Sequence, residues 1–463
     1  MTQTPGGAFD SLKTQVRGVL LTPADAGYDA ARSVWNAMID KRPGAILRCL
    51  NTPDVVAGVN FARANGLPLS IKGGGHNIAG LGVCEGGLAL DMSLMRGVWV
   101  DPKARIARAQ AGCLLGDVDR ETQVHSLAAV LGFVSNTGIA GLTLGGGFGY
   151  LSRRHGWTSD TVRAFDVVTA DGRVLRASES ENADLFWALR GGGGNFGVVT
   201  GFEYELFPVG PEIYGGAMAW PVEQAPAVMA EYLRLTGDAP HDLTAVMGFR
   251  IAPPAPWINK DTHGKPIVLV VSCFAGDPAE GEKLLAPLKK VGAPAGDIVQ
   301  RRSYVSQQAL LDATQPAGRR YYWKSEYLGR VDEALLAAAR EQAAGIVSPH
   351  SAVLIFPFDG ALNRLPADHS PAGNRDAHAV LNIAGAWDKA DDDAKNVAWA
   401  RESWQRMRKF STGGVYVNFL TDDEGGDRTQ AAYGGHMARL ATLKAKWDPA
   451  NLFKVNKNVA PVA

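Results

Sequence analysis

The chain has 463 residues, of which 46% are hydrophobic, and its 47 lysines and arginines balance its 47 aspartates and glutamates. This length exceeds what one hydrophobic core usually organises, so two domains, or one domain with a large insertion, are expected. The balanced charge offers no excess positive field to phosphate backbones or anionic lipids, which argues against nucleic acid and membrane surfaces as partners.

The sequence also indicates where the protein is located and whether it contains disulfides or a metal site. Residues 1–20 lack the apolar centre of a signal peptide and no apolar run is long enough to span a bilayer, so a soluble cytoplasmic protein is expected. The four cysteines are widely spaced, which disfavours a disulfide framework or a cysteine-rich zinc site. The histidines show no metal-ligand spacing, so no metal is expected.

The first elements alternate between helical and extended patterns. Residues 22–40 and 52–65 are expected to form helices. Residues 67–71 have the pattern of a strand, which leads directly into the glycine run at residues 73–75. The Asp171-Gly172 pair between two β-rich runs predicts a hairpin.

The pattern changes near Phe207-Pro208. Beyond it, alanine-rich helical stretches alternate with apolar strands; the helices are expected at residues 224–235 and 331–344, and the strands at residues 267–272 and 352–358. Residues 427–446 have the periodicity of a single helix, and an asparagine-rich tail follows. The tail is expected to pack back onto the first part of the chain.

Three glycine-rich loops fall in the N-terminal half, at residues 73–75, 138–149 and 191–197. The third contains a literal G-x-G-x-x-G, but a helical pattern precedes it and a strand pattern follows, whereas a Rossmann unit needs strand, loop and then helix. Glycine loops without a following helix can still hold phosphate, because successive N–H groups form an anion nest. The alternative for each single loop is a tight turn or close packing.

His76, directly after three glycines, is the most specific candidate residue. Its plain alternative is a histidine that merely caps the loop. A neutral imidazole is also a competent nucleophile, and beside a bound pyrophosphate it could bond the 8α-methyl carbon of a flavin ring. Lys72 would add positive charge next to such a nest.

Seven motifs follow one another along nearly the whole chain. They are IKGGGHN from Ile71, DMS from Asp91, TGIAGLTLGGG from Thr137, RRHG from Arg153, DLFWALRGGG from Asp184, YVNF from Tyr416 and NKN from Asn456. In this order they resemble the berberine bridge enzyme-like branch of the vanillyl-alcohol oxidase superfamily of flavoproteins.

The resemblance implies an α+β fold with a two-subdomain FAD-binding domain of the PCMH type and an inserted substrate-binding domain, whose antiparallel sheet is covered by helices. Residues 1–209 and 425–463 would form the FAD-binding domain, and residues 210–424 the substrate-binding domain. The family implies FAD, attached through a single 8α-histidyl bond to His76. The residues implied to contact the cofactor are Lys72, Gly73, Gly74, Gly75, His76, Asn77, Gly80, Thr137, Gly138, Gly141, Leu142, Gly145, Gly146, Tyr150, Gly197, Val199, Asn456 and Asn458.

The chain departs from the family pattern at several positions. Bicovalent members carry a second linking cysteine where this chain has Val134, so a single covalent bond is expected, as in bacterial members of the monocovalent type. A histidine common near the flavin pyrimidine edge is replaced by Leu142. The tyrosine often implicated as a base falls at Phe419, and no carboxylate stands around Leu381-Asn382. An amine donor, or a site that uses Tyr416 or another group, therefore fits better than strong-base oxidation of an alcohol or phenol.

The resemblance implies an oxidase that takes a hydride from a C–N or C–O bond of a small organic substrate and passes the electrons to dioxygen, giving hydrogen peroxide. Tyr416, expected on a strand, and Asn418 are the substrate-side candidates, against a packing role for the tyrosine. Thr137 either influences the reaction with oxygen or bonds to its own loop. A dehydrogenase with another acceptor and a noncatalytic flavin-binding protein remain alternatives, and a monomer or a homodimer is expected.

Overall fold

The computed structural model describes residues 5–462; residues 1–4 and 463, which the sequence places at the two ends of the flavin domain, lie outside the described residues. Within residues 5–462, no helix combines the length and the apolar character needed to cross a bilayer. The same residues hold no group of three or more histidines, cysteines, aspartates or glutamates that could bind a metal ion.

Ten strands lie between residues 5 and 205. They are β1 (Val19–Leu21), β2 (Ala45–Arg48), β3 (Leu69–Lys72), β4 (Leu88–Asp91), β5 (Val98–Asp101), β6 (Ile106–Gln110), β7 (Leu127–Ala128), β8 (Val162–Val168), β9 (Val174–Ser178) and β10 (Val198–Glu205). The first sheet has the order β1-β2-β4-β3, with β2 and β3 parallel to the central β4. The second sheet is antiparallel, in the order β5-β6-β10-β8-β9.

Nine further strands follow. They are β11 (Phe207–Pro208), which pairs with β7, then β12 (Glu212–Pro221), β13 (Leu243–Ile251), β14 (Pro266–Phe274), β15 (Gly296–Asp297), β16 (Gln300–Ser303), β17 (Arg320–Leu328), β18 (Ala352–Pro357) and β19 (Ala379–Trp387). The last eight form a third sheet, antiparallel throughout, in the order β15-β12-β14-β13-β18-β19-β17 with β16 beside β12.

Fourteen α-helices lie between and beside the strands of residues 5–462. They are α1 (Pro5–Lys13), α2 (Tyr28–Arg32), α3 (Thr52–Ala64), α4 (Leu115–Gln123), α5 (Ile139–Leu144), α6 (Ser152–His155), α7 (Ala183–Leu189), α8 (Ala225–Gly237), α9 (Pro278–Lys289), α10 (Tyr304–Gln308), α11 (Glu333–Ala344), α12 (Asp393–Met407), α13 (Gly426–Tyr433) and α14 (Met437–Trp447). Helices α8, α9, α11 and α12 pack on the third sheet and leave its opposite face to a cavity.

Two large apolar cores stabilise these layers. One joins the first two sheets to the end of the chain, through residues such as Leu90, Phe202 and Leu440. The other lies between the third sheet and its helices, around Met247 and Leu336. Burial of such side chains is the dominant favourable contribution to folding.

Most of the expected elements are confirmed by the structure. Helix α3 covers nearly all of residues 52–65, strand β3 ends at the first glycine run, and β8 and β9 form the expected hairpin. The helix α7 before the third glycine loop and the strand β10 after it confirm that this loop is not part of a Rossmann unit.

The expected helix over residues 22–40 is wrong, since only the short helix α2 forms there. The chain leaves the helix because its next residues bind the third sheet. The side chain of Asn36 donates to the carbonyl oxygens of Ile78 and Tyr321, both at 2.9 Å, and Trp35 stacks on Tyr321. These long-range contacts outweigh the local helical propensity.

The single helix expected over residues 427–446 is also wrong. It is interrupted between α13 and α14 by the pair Gly434-Gly435, and Gly434 has a φ of +53°. That backbone conformation is outside the right-handed helical region, and glycine adopts it without steric cost.

A buried carboxyl, Asp119, lies where α4 contacts α10. One of its oxygens accepts a hydrogen bond of 3.1 Å from the side-chain amide of Gln308, while its other oxygen and the amide oxygen of Gln308 have no partner. Burial raises the pKa of Asp119 to about 7. A proton on this carboxyl therefore stabilises the fold.

Asp119→Asn is expected to raise the free energy of unfolding at pH 8 by on the order of 1–3 kcal/mol and to have little effect near pH 4. The proton on Asp119 stabilises the folded protein fully below a pH of about 4, the pKa of an aspartate in the unfolded chain. This stabilisation is lost as the pH rises through about 7, the pKa of Asp119 in the folded protein. The asparagine amide needs no proton and can donate to Gln308. Urea unfolding at both pH values, with the exposed Asp166→Asn as control, measures the difference; equal effects of Asp119→Asn at both values would contradict the expectation.

Candidate functional site

A cavity of about 370 Å³ lies between the glycine loops and the uncovered face of the third sheet. Strand β3 leads into the loop at residues 73–77, which forms one wall together with residues 137–145 around α5. Residues from the third glycine loop and from the chain end close one end of it. Among the described residues, no aspartate or glutamate lines the cavity.

The first two glycine loops touch each other through their backbones. A Cβ added at Gly74 would lie 2.5 Å from the nitrogen of Gly138, and one added at Gly138 would lie 2.4 Å from the nitrogen of Gly74. Such distances are too short for any side chain, so both positions require glycine. A Cβ at Gly141, by contrast, would meet no atom within 4 Å. The two loops thus form a backbone-lined cradle that is open on the side of Gly141.

His76 is held in one orientation at the wall of this cradle. Its Nε2 lies 3.0 Å from Oδ1 of Asn136, and its ring stacks on Trp35 at 4.8 Å, which in turn stacks on Tyr321 at 3.6 Å. Because an amide oxygen only accepts, Nε2 carries the hydrogen and Nδ1 keeps its lone pair. Burial lowers the pKa of His76 to about 4. The imidazole is therefore neutral and nucleophilic near pH 7.

Lys72 and Asn77 organise the loop on either side of His76. The Nζ of Lys72 lies 3.2 Å from a carboxylate oxygen of Asp91, so its charge is compensated within the protein. Oδ1 of Asn77 accepts hydrogen bonds of 3.1 and 3.2 Å from the backbone N–H groups of Ala79 and Leu81. These bonds fix the turn that follows the histidine.

The chain end supplies an amide at the opposite end of the cavity. Nδ2 of Asn456 donates to the carbonyl oxygens of Gly194 and Phe453 at 3.1 and 2.9 Å. Its Oδ1 is buried without a partner, although a buried acceptor is costly to leave unbonded. Gly197 and Val199 line the wall beside it.

Tyr416 and Asn418 meet near the end of α5. The hydroxyl of Tyr416 accepts hydrogen bonds from the backbone N–H of Gly147 at 3.1 Å and from Nδ2 of Asn418 at 2.8 Å. Burial raises the pKa of Tyr416 above its ordinary value, so the hydroxyl is protonated near pH 7 and can donate a hydrogen bond but not act as a base. Tyr416 does not lie on a strand as expected, because a 3-10 turn begins at Val417.

Four of the residues expected to contact the cofactor lie away from the cavity wall; they are Gly80, Gly146, Tyr150 and Asn458. The two glycines adopt positive φ in turns, Tyr150 is fully buried in an apolar core, and Asn458 is exposed. All the other residues expected to contact the cofactor line the cavity, including Thr137, Leu142 and Gly145.

Several polar residues at the cavity wall or directly behind it lie outside the seven motifs. Trp35 and Asn136 orient His76, and Asn136 directly precedes a recognised motif, so that motif could have indicated it. Nε1 of Trp323 and Oδ1 of Asn382 are buried at the cavity without hydrogen-bond partners. Trp323 lies on a strand that carries no motif, and position 382 was noted in the sequence only because it lacks a carboxylate. The pairing of the two strands brings both side chains to the site.

Val134 lines the cavity, whereas none of the four cysteines does; all four are buried elsewhere as free thiols. Phe419 also lines the wall, with its ring edge-on to Trp323 at 5.2 Å. Three of the positions at which the sequence departs from its family pattern, Val134, Leu142 and Phe419, are therefore apolar in the cavity itself, whereas Asn382 presents an uncharged amide.

Two family models match the chain, one described as an FAD binding domain over residues 43–178 and one described as berberine and berberine like over residues 415–460. The (R)-6-hydroxynicotine oxidase of Paenarthrobacter nicotinovorans is 30% identical over 462 residues, which cover 96% of this chain and 97% of that enzyme. The chain belongs to the berberine bridge enzyme-like family of FAD-linked oxidoreductases.

Two further relatives agree with this membership. An FAD-linked oxidoreductase of Dictyostelium discoideum is 29% identical, with 92% of this chain and 91% of the relative covered. The crystal structure of 6-hydroxy-D-nicotine oxidase from Arthrobacter nicotinovorans has a TM-score of 0.87 and 28% identity, with all of both chains covered. The expected α+β berberine bridge enzyme-like fold, the FAD cofactor and an oxidoreductase activity are thereby confirmed.

Proposed function

We propose that this berberine bridge enzyme-like chain is an oxidase that removes a hydride from a C–N or C–O bond of a small organic substrate. In this proposal FAD is attached through His76 alone, and dioxygen accepts the electrons. The observation that carries it is the neutral imidazole of His76, held by Asn136 at the wall of a cradle built from glycine backbones. Residues 1–209 and 425–463 would form the FAD-binding domain, and residues 210–424 the substrate-binding domain.

The residues of the cavity fit FAD. The cradle around Gly74 and Gly138 has no room for side chains and can present backbone N–H groups to a pyrophosphate. The unpartnered Oδ1 of Asn456 can accept a hydrogen from a hydroxyl or amino group of the cofactor. With Val134 and no cysteine on the wall, His76 is the nucleophile available for a covalent bond.

The chemistry supplied by bound FAD is acceptance of a hydride from the substrate carbon and reoxidation by dioxygen, which yields hydrogen peroxide. Tyr416 can donate a hydrogen bond to a substrate heteroatom. Since no carboxylate lines the described cavity, none can take a proton from the substrate. An amine fits this site better than an alcohol, because a neutral amine can lose a hydride without first losing a proton. The name of one relative, (R)-6-hydroxynicotine oxidase, supports an oxidase activity.

Anaerobic reduction followed by exposure to air tests the proposal. An amine donor is expected to bleach the visible absorbance of the holoprotein, and air is expected to restore it with release of one equivalent of hydrogen peroxide. Restoration by a quinone but not by air would indicate a dehydrogenase with another acceptor. A flavin that stays oxidised with primary, secondary and tertiary amines and with alcohols would indicate a noncatalytic flavin-binding protein.

A further inference from the structure

The part of the third sheet that lines the cavity is mostly apolar, and Arg250 is the one lysine or arginine that the described strands of this sheet place on the cavity wall. The wall contributed by β13, β14, β18 and β19 consists mainly of Val246, Leu269, Val271, Ala352, Leu354, Phe356, Ala384 and Ala386. A guanidinium in such a setting is expensive to desolvate unless an anion faces it.

The strand register places Arg250 opposite Trp323 across a slot. Arg250 pairs with Ala352, Ala352 pairs with Ala384, and Ala384 pairs with Trp323. Cross-strand partners point to the same face, and strands lie about 4.8 Å apart, so the two ends of this row are separated by roughly 14 Å. The two alanines between them leave space for a flat molecule.

Arg250 has no anionic partner among the described residues. Its one hydrogen bond runs from Nε to the carbonyl oxygen of the neighbouring Ile251, at 3.2 Å. Burial, together with the nearby cation of Arg319, lowers the pKa of Arg250 to about 10. The half-buried guanidinium is thus partly withdrawn from water, remains charged near pH 7 and has no ion-pair partner.

The other lysine and arginine side chains on the described cavity wall differ in this respect. Lys72 lies 3.2 Å from the carboxylate of Asp91. Lys457 donates to the carbonyl oxygen of Thr421 and lies in the field of Glu424 and other acidic residues. An anion entering the cavity therefore finds an unneutralised positive charge at Arg250.

Neither Asp388, which pairs with Arg319, nor Glu341, which lines a second cavity together with Arg250, forms an ion pair with Arg250. Asp388 accepts a hydrogen bond of 2.8 Å from Nε of Arg319 and lies 3.0 Å from Nε2 of His350. Burial and the Arg319 cation lower the pKa of His350, whose neutral ring lines the cavity beside Arg250. The charge of Asp388 is therefore already balanced by Arg319.

We propose that the substrate is an organic carboxylate whose anionic group binds Arg250 while its apolar, flat part lies over Ala352 and Ala384 toward Trp323. The identification of this molecule as the hydride donor rests on the proposed function, but the binding of the anion does not. The unpartnered Nε1 of Trp323 then faces the other end of the substrate as a hydrogen-bond donor. The proposal narrows the substrate to an amine or alcohol that also carries a carboxylate.

Benzoate and its neutral analogue benzamide test the proposal by calorimetric titration of the oxidised holoprotein, with the flavin difference spectrum reporting entry into the cavity. The wild type is expected to bind benzoate at least tenfold more tightly than benzamide, because hydrogen bonds to charged groups are among the stronger ones. Arg250→Gln is expected to remove this preference without weakening benzamide. Arg250→Lys, which keeps the charge, is expected to keep part of it.

Arg301→Gln is the matched control, because it removes the same charge from the exposed side chain of a strand in the same sheet, outside the cavity. It is expected to leave both affinities unchanged. Equal affinities for benzoate and benzamide in the wild type, or a benzoate preference that survives in Arg250→Gln, would overturn the proposal. A benzoate preference in a protein whose flavin no donor reduces would sustain the anion site and refute the oxidase function instead.

Discussion

His76→Ala is expected to fold and yet to lose all covalently bound flavin. Wild-type protein precipitated with acid is expected to give a yellow pellet, whereas the pellet of His76→Ala is expected to be colourless. The variant should fold because the imidazole that it lacks makes only one hydrogen bond and one stacking contact at a cavity wall, so that little core packing is lost. Loss of the covalent bond is complete because no cysteine lines the described wall as a substitute.

Asn136→Ala keeps the nucleophilic imidazole of His76 but removes the hydrogen bond that orients it. Without the Asn136 amide oxygen, Nε2 no longer has a partner that fixes the hydrogen, and the neutral ring can exchange tautomers. Covalent incorporation of added FAD into apoprotein is expected to slow several-fold but to reach completion. Absorbance of the acid-precipitated pellet over time measures the rate.

The exposed His125→Ala provides a matched histidine deletion and is expected to behave as the wild type. A yellow acid pellet from His76→Ala would show that another residue forms the bond. A wild type whose colour is released completely by acid would show that the flavin is held without any bond.

The features that the sequence predicts well are those encoded by neighbouring residues. The first glycine run, His76 and Asn77 form one continuous segment, and a loop after a short strand follows from their residue types alone. The same holds for the hairpin at Asp171-Gly172, where the turn residues determine the backbone conformation.

The features that the sequence does not predict depend on distant partners. Trp35 lies outside any helix and stacks on Tyr321, which belongs to the third sheet and is far along the chain. Arg250 is the charged residue in the otherwise apolar second half of β13. Only the pairing of β13 with β14 and β18, and the order of the strands beyond them, shows that its side chain faces the cavity. Local propensity carries no information about such pairings, and strand register is set by the whole sheet.

Lys444→Met is expected to lower the free energy of unfolding by about 3–5 kcal/mol, the range for removal of one partner from a buried ion pair. The side chains of Lys444 and Asp448 are fully buried, with Nζ 2.6 Å from the carboxylate. Nζ also donates to the carbonyl oxygens of Asn195 and Phe453, at 2.7 and 2.9 Å. The variant leaves Asp448 charged, buried and without its cation.

This ion pair connects the end of the chain to the third glycine loop, since Asn195 lies in that loop and Phe453 lines the cavity. Asp448 further accepts backbone hydrogen bonds, both of 2.8 Å, from Leu452 and Phe453. Loss of the pair should therefore loosen residues 452–456 more than the remainder of the fold. Limited proteolysis is expected to cleave Lys444→Met first in this segment, and covalent incorporation of added FAD into its apoprotein is expected to slow.

Lys446→Met is the matched control, because Lys446 lies two residues away and forms an ion pair of 2.6 Å with Asp184 on the surface. Exposed pairs contribute about 0–1 kcal/mol, since water and salt screen them. Denaturant unfolding of both variants, followed by far-ultraviolet circular dichroism, compares the two sites. Similar small losses of stability in both variants would show that the attraction within the Lys444–Asp448 pair only offsets the cost of desolvating the two charges. In that case, adding Asp448→Asn to Lys444→Met should restore little stability. If Lys444→Met alone causes a large loss, the double variant should regain part of the free energy of unfolding, because it no longer contains an unpaired buried charge.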